Sequence, residues 1–353
     1  MAGKSVAVLF GGRSPEHEVS CVSALNIMHA INKDEWEILP VGITKEGHWL
    51  YVKDLDAIRD GSWKQSGIPA FLSPDSSSHV LYVKKEGCFE TLPVDLVWPA
   101  LHGEYGEDGT VQGLLEMAGI PYVGTGVLCS AVSMDKLYTK IVVDRLDIRQ
   151  ARYESYISYG TEDKEAVIER VEKRFGYPVF VKPARAGSSC GVSRADNREE
   201  LVEAIRKALE IDRKVLIEEM IRGREIEMAV LQKADGTLGV TCPGEILAAA
   251  AFYDYDAKYN NPESKTVIDP DLPENVKDEL KKDALAIFRA LDGQGLSRVD
   301  FFVTDEGGVV FNEINTMPGF TNISMYPKLW EAEGFTQEEL AAELMESGLR
   351  RYD

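Results

Sequence analysis

Ser5–Phe10 reads SVAVLF, a run with no charged side chain, and Gly11-Gly12 follows at once. A strand that is apolar on both faces has to be covered on both, which is the situation of a central strand in a parallel α/β sheet. After the glycines, Ser14-Pro15-Glu16 reads as a helix start. Ser14 would be the cap, Pro15 the first helical residue and Glu16 an anion in the first turn, where the helix dipole favours it. Val19, Val22 and Leu25 supply the apolar stripe expected of that helix. The same order returns in DLVWPALHG and DGTVQGLLEMAGIPYVG, whose helix should close at Gly119 and Pro121. Between the two units, GSWKQSGIPAFLSPDSSSHV is rich in breakers and reads as a loop or an edge hairpin.

From Ala131 the texture changes. SMDKLYTKIVVDRL reads as one helix, GYPVFVKPA as a strand, Asn197 to Leu209 as a helix and KVLIEEMI as a strand. The remainder holds REIEMAVL, the irregular segment FYDYDAKYNNPESKTVIDP and the helix VKDELKKDALAIFRAL. The hairpin SRVDFFVTDEGGVVFNEINT follows, turning at Asp305–Gly308. A chain of 353 residues has room for two or three domains. The expected divisions are 1–126, 127–217 and 218–353.

A net charge of −20 repels nucleic acid and anionic membranes, so neither is an expected partner. No apolar run approaches the roughly 18–20 residues that cross a bilayer. The apolar stretch near the start is too short for a secretory h-region, and a cytoplasmic location is expected. Cys21, Cys88, Cys129, Cys190 and Cys242 are scattered without a C-x-x-C pair, and read as isolated thiols.

The hairpin carries the sharpest chemical signal. Residues two apart on a strand share a face, so Arg298 pairs with Asp300 and Glu313 with Asn315. Paired across the turn, they bring hard oxygen donors beside an arginine, a set suited to Mg²⁺. A solvated polar face is the plain alternative, but Phe301, Phe302, Val309, Val310 and Phe311 make the strands apolar, and burying unpaired carboxylates is expensive. RAGSSCGVS, after a strand ending near Lys182, offers small residues that let backbone N–H groups approach phosphate. Alone it reads as an ordinary turn; it gains weight from Lys136 and the acidic hairpin. Glu218 and Glu225 in LIEEMIRGRE could take adenine and ribose, although a charged surface connection explains them more simply.

Eight segments in order, GGRSPEHEVS, LHGEYGEDGTVQG, SMDK, VKPARAGSS, IEEMIRGRE, FYDYDAKY, SRVDFF and FNEINTMPGFT, resemble the motif set of the D-alanine–D-alanine ligases of the ATP-grasp superfamily. They span Gly11 to Pro327. The resemblance implies an α/β, three-domain ATP-grasp architecture. An N-terminal α/β parallel-sheet domain would precede a central α+β lid module and a C-terminal α+β domain, with ATP between the last two. One departure is Ala186, where many relatives carry glutamate before Gly-Ser-Ser.

The resemblance also implies roles. Glu16 would bind the ammonium of the first amino acid, linked to Ser188 and Tyr259. Lys136 and Lys182 would contact nucleotide phosphates, with Ser188 and Ser189 on a closing loop. Glu218 would face adenine and Glu225 the ribose. Asp300, Glu313 and Asn315 would hold two Mg²⁺ or Mn²⁺ ions. Arg298 and the Gly319 N–H would form an oxyanion hole, Ser324 and Met325 would bind the second carboxylate, and Lys258 would reach the transferred phosphoryl group. His102 would lie near the first substrate, though a structural histidine explains it equally well. The implied reaction joins two D-alanines through an acyl-phosphate for peptidoglycan synthesis. FYDYDAKY favours an amine over a hydroxyl nucleophile, and D-serine stays open as the second substrate because a pocket rejects one added hydroxyl only weakly. Another ATP-grasp carboxylate–amine ligase and a regulatory nucleotide-binding module are the other readings. A homodimer is expected on the resemblance alone, and a monovalent-cation requirement is left open.

Overall fold

The computed structural model describes residues 3–188, 190–247 and 265–352. Three sheets carry the fold. The first contains β1 (Lys4–Gly11), β2 (Trp36–Ile43), β3 (Trp49–Tyr51), β4 (Ile68–Leu72), β5 (Val80–Lys85), β6 (Cys88–Pro93) and β7 (Leu96–Pro99), in the order β6-β5-β4-β3-β2-β1-β7. Val6–Phe10 are fully buried, as the apolar run requires. Only β7-β1-β2 is parallel; β3 to β6 continue the sheet antiparallel. The breaker-rich segment therefore builds part of the main sheet, through β4 and the start of β5, rather than only decorating its edge. Its helices are α1 (His17–Ala30), α2 (Leu55–Asp60), α3 (Trp63–Ser66) and α4 (Thr110–Ala118), the last closed by Gly119 at φ +63°.

Helix α1 differs from expectation at its start. Ser14 does not cap it: the Ser14 hydroxyl donates to the His102 carbonyl at 2.6 Å and accepts from the Glu16 N–H at 3.1 Å. The turn Ser14–Glu16 is thus tied to the loop after β7, and the helix begins at His17. Its buried face is Cys21, Ala24, Leu25 and Met28, while Val22 is half exposed.

The expected single helix over SMDKLYTKIVVDRL is two, α5 (Val127–Met134) and α6 (Lys136–Val143), because Asp135 caps the second by accepting from the Tyr138 N–H. The second sheet comprises β8 (Tyr153–Ile157), β9 (Val179–Pro183), β10 (Ser193–Ala195) and β11 (Lys214–Glu219), in the order β10-β9-β11-β8, antiparallel throughout. Helices α7 (Lys164–Arg174) and α8 (Arg198–Ala208) cover it, sharing a core with Val179, Val181, Val215 and Ile217.

The third sheet runs β15-β14-β12-β16-β17, with β13 paired on β12. Its strands are β12 (Arg224–Gln232), β13 (Leu238–Val240), β14 (Gly244–Leu247), β15 (Lys265–Ile268), β16 (Leu296–Val303) and β17 (Val309–Asn315). On one face α9 (Glu274–Ala290) packs, together with Cys129 of α5 and Val143 of α6. On the other, α10 (Met325–Ala332) and α11 (Gln337–Leu349) share one core with Ala229, Leu231 and Leu296 and with Val6, Val8 and Trp98 of the first sheet. The first and third sheets are therefore joined by continuous apolar packing, which holds the segments between them in register. Among the described residues no helix is long and apolar enough to cross a membrane.

One buried charge cluster ties α6 to the second sheet. Glu218 of β11 accepts from Lys140 on one oxygen and from Lys182 of β9 on the other, each at 2.6 Å. Burial pushes the Glu218 carboxyl up, but Lys140 and Lys182 together outweigh it and hold it at about 2. A depressed carboxylate stabilises the fold above its unfolded pKa, and that contribution is lost as pH falls through the folded value. Glu218→Gln should cost about 3–5 kcal/mol at neutral pH, because two lysines lose their counter-charge. The deficit should shrink as pH falls from 4.5 towards about 2, where the parent also loses the charge. Urea unfolding at stepped pH measures this; a deficit unchanged down to about pH 3 would contradict the assignment.

Candidate active site

The acidic hairpin depends on a defect in its own ladder. Asp300 pairs with Glu313, but Phe301 pairs with Phe311, so Asn312 is an extra residue in β17. A bulge of this kind reverses which face successive residues take. Val309, Phe311 and Ile314 all reach the core beneath the sheet, which unbroken alternation would forbid. Glu313 and Asn315 are thereby delivered to the opposite face, beside Arg298 and Asp300.

Registration then lines up a row across three strands. Glu227 of β12 is opposite Asp300, which is opposite Glu313; one step along, Ala229, Arg298 and Asn315 form the next row. Arg298 grips Asp300 with two bonds, Nε to Oδ1 at 2.8 Å and Nη2 to Oδ2 at 2.7 Å, and its Nε lies 3.2 Å from Glu227. Burial works against the guanidinium charge, but Asp300 and Glu227 more than restore it. With its amide oriented to suit its neighbours, Asn315 accepts from Arg298 at 3.1 Å and donates to Glu107 at 2.9 Å.

Glu107 and Glu227 had no role assigned from the sequence. Glu227 was legible, since it lies two residues beyond Glu225 on a strand. Glu107 lies inside LHGEYGEDG but gives no local signal that it is buried. Its carboxylate accepts from the Gly103 N–H at 2.7 Å and the Met317 N–H at 3.1 Å. Burial, reinforced by Glu16, pushes its carboxyl up to about 8 against the pull of those N–H groups and Arg298. His102 completes the joint. Its Nδ1 faces the Met317 carbonyl oxygen at 3.0 Å, so that nitrogen donates, and Nε2 accepts from Ser23 Oγ at 2.9 Å. Burial is the main influence lowering the His102 pKa, which favours the neutral ring these bonds need. Both backbone polar atoms of Met317 are thus held by side chains from the loop after β7.

Glu16 projects into the same cleft and accepts from the Ser188 hydroxyl at 2.5 Å. Two glycines make its place. A β-carbon at Gly103 or at Gly187 would come within 2.6 and 2.7 Å of the Glu16 carboxylate. The loop bearing Ser188 is anchored at its root by Arg185 on Asp212 and by Lys136 Nζ donating to the Ala186 carbonyl at 2.9 Å. Lys136 also lies 3.2 Å from Glu313. Facing Glu16, Ser324 precedes α10, whose N-terminus opens to the cleft; a β-carbon at Gly319 would meet Ser324 Oγ at 2.7 Å.

One cleft is therefore lined by Glu16 at the turn before α1, His102 after β7, Lys136 at the start of α6, Ser188 after β9, and Arg298, Glu313, Asn315, Gly319, Ser324 and Met325 from the third sheet and the segment after it. Asp300 stands one bond behind Arg298. Lys182 and Glu218 are bonded to each other on the second sheet, and Lys182 senses Glu313 and Glu225 across the gap to the third. Ser189, Lys258 and Tyr259 lie outside the described residues. The donor set of Asp300, Glu313 and Asn315 is all oxygen, the type a hard divalent cation takes, and here these oxygens are engaged by Arg298 and Lys136.

The model of the D-ala D-ala ligase N-terminus matches residues 5–125, and that of the D-ala D-ala ligase C-terminus matches residues 142–346. The D-alanine–D-alanine ligase of Acetivibrio thermocellus is 47% identical over 99% of this chain and 97% of its own. That of Caldicellulosiruptor bescii is 46% identical over 99% and 96%. Among solved structures, the VanG D-Ala:D-Ser ligase of Enterococcus faecalis superposes with a TM-score of 0.88 at 36% identity, covering 97% of this chain and 98% of that one. The D-alanine–D-alanine ligase of Coxiella burnetii gives 0.86 at 33% identity, covering 99% and 95%. With near-complete coverage in both directions and both halves matched, the chain belongs to the D-alanine–D-alanine ligase family of the ATP-grasp fold.

Proposed function

We propose that this chain joins two D-alanines, using ATP and passing through a D-alanyl-phosphate, with the residues of this cleft in the following roles. The observation that carries the reading is the meeting, in one cleft, of a carboxylate (Glu16), a cationic and oxygen-rich sheet face (Arg298, Glu313, Asn315) and an open helix N-terminus (Ser324, Met325). Each suits a different part of the reactants. Glu16, steadied by Ser188, suits an ammonium; the α10 N-terminus suits a carboxylate. Lys136 and Lys182 suit the phosphates, and Glu225 and Glu218 the ribose and adenine. Both Glu218 oxygens already accept from lysines, so adenine would use their remaining lone pairs.

A carboxylate is a poor electrophile, and phosphorylation makes it a good one. An oxygen of the first D-alanine attacks the γ-phosphorus and ADP leaves. The second D-alanine's amine then attacks the carbonyl carbon, sheds a proton, and phosphate departs. Divalent ions, Mg²⁺ or Mn²⁺, bound by Asp300, Glu313 and Asn315 would offset charge on the phosphoryl oxygens. Arg298 and the Gly319 N–H stabilise the oxyanion of the tetrahedral intermediate. The loop through Ser188 excludes water from an intermediate that hydrolyses readily. Lys258 and Tyr259 belong to the same reading, as do a homodimeric assembly and a cytoplasmic location.

D-serine as the second substrate has one observation in its favour, the likeness to the VanG D-Ala:D-Ser ligase. The curated relatives at 44–47% identity are D-alanine–D-alanine ligases, and the apolar walls Ile246 and Met325 suit a methyl group better. Phosphate release with ATP, Mg²⁺ and D-alanine, D-serine or D-lactate separates these. D-alanine alone should support full turnover, and no release with any of the three would sink the ligase reading. Arg298→Ala should lower kcat about 10²–10³-fold, as loss of one oxyanion donor does. Glu107→Gln should fold, yet lose about 10–100-fold in kcat/KM, because one amide oxygen and an NH2 group replace the two oxygens that accept from the Gly103, Met317 and Asn315 N–H groups. A near-parental value would mean that this joint plays no part in catalysis.

A further inference from the structure

The turn that presents Glu16 carries another set of donor atoms, none of which the ligation uses. His17, the first residue of α1, is fully buried, with its ring stacked on Trp63 at 6.0 Å between centroids. Its Nδ1 lies 2.7 Å from the Gly12 carbonyl oxygen, so Nδ1 bears the proton and donates. The lone pair is therefore on Nε2, which is buried and has no hydrogen-bond partner. Leaving such an atom unsatisfied typically costs about 1–3 kcal/mol. One helical turn on, the buried Cys21 thiol sits on the same face, and Glu18 reaches over it from the rim. The imidazole, thiol and carboxylate donor atoms lie within 4.8 Å of one another.

We infer that His17, Cys21 and Glu18 form a binding site for a borderline-soft divalent metal of the Zn²⁺ type, separate from the oxygen donors of the acidic hairpin. The donor chemistry selects the class: imidazole and thiolate suit Zn²⁺ and Co²⁺, whereas Mg²⁺ takes oxygen. The histidine also has the support that metal-binding histidines show, its other nitrogen donating to a backbone carbonyl, which fixes tautomer and ring orientation. A spacing of four residues on a helix puts His17 and Cys21 on one face. In the sequence this is a mixed H-x-x-x-C spacing.

Two observations set what binding must overcome. Burial pushes the Cys21 thiol up to about 12, so the metal must displace its proton, and the same burial argues against a free thiolate nucleophile. Glu18 is held by Lys45 at 3.3 Å and Lys64 at 3.6 Å. Its side chain is 63% exposed, however, and pairs at such a surface are weak enough for the carboxylate to swing inward. Thiolate and carboxylate together would balance the charge of the ion, and a water would complete four-coordination.

Co²⁺ titrated into the full-length protein at saturating Mg²⁺ tests the site. One equivalent should raise a thiolate-to-cobalt charge-transfer band in the near ultraviolet and increase Tm. Both responses should vanish in Cys21→Ala and in His17→Gln, and both should persist in Cys190→Ala, which removes an exposed thiol near the catalytic cleft. Circular dichroism and the phosphate-release assay check that the variants are folded. No band in the parent protein, a band that survives in Cys21→Ala, or one that depends on Cys190 instead would overturn the proposal.

Discussion

Three carboxylates on adjacent strands repel one another, and the third sheet holds Glu227, Asp300 and Glu313 in one row only because cations stand against them. Arg298 faces the first two and Lys136 the third. This balance decides much of the surrounding architecture. Lys136, which meets Glu313, is the first residue of α6, where Asp135 caps the helix. Arg298 is held flat against Asp300 by two bonds, so its planar fork is preorganised where a flexible lysine would not be. The Asn312 bulge is what brings Glu313 into the row at all.

The second dependency runs between the first and third units. The backbone of Met317 is gripped on its N–H by Glu107 and on its carbonyl by His102. Because Glu107 also takes the Asn315 amide, the acidic row and the Gly319 loop are indexed to the same two side chains. Apolar packing of α10 and α11 against both sheets supplies the stiffness, and the hydrogen bonds supply the register. Groups contributed by distant parts of the chain can then hold distances of a few tenths of an ångström, which catalysis by positioning requires.

Legibility in the sequence followed the range of the forces involved. Val6–Phe10, the glycine at 119 and the face shared by Arg298 and Asp300 are local matters of periodicity, turn chemistry and strand parity, and they read correctly. Ser14 misled in position: its hydroxyl does accept from the Glu16 N–H, but that bond closes a turn tied to the His102 carbonyl, and the helix begins only at His17. Val22 misled because α1 buries small residues such as Ala24, where hydrophobicity alone points elsewhere. The antiparallel strands β4 to β6 were hidden because their partners are set by sheet order, which no short window contains. Asn312 was hidden for the opposite reason: a bulge is one residue long, and Glu313 and Asn315 keep the same spacing with or without it. Glu107 and Lys140 look like ordinary surface charges, and only tertiary packing reveals that each is buried among partners.

The charge arrangement also bears on how so acidic a chain can serve a polyphosphate. The cations that line or back the cleft are already matched within the protein: Lys136 with Glu313, Lys182 and Lys140 with Glu218, and Arg298 with Asp300 and Glu227. Such pairing lets lysine and arginine be buried in a chain of net charge −20 without raising the local potential much above neutral. Among the described residues, little surplus positive charge is therefore left in the cleft. On the proposed function, a triphosphate entering this space would share these lysines with carboxylates, and the pairs named here would compensate little of its charge. On the proposed function, divalent ions held by Asp300, Glu313 and Asn315 would supply the missing charge. On that reading, the acidic row that organises the sheet is also what would hold the ions.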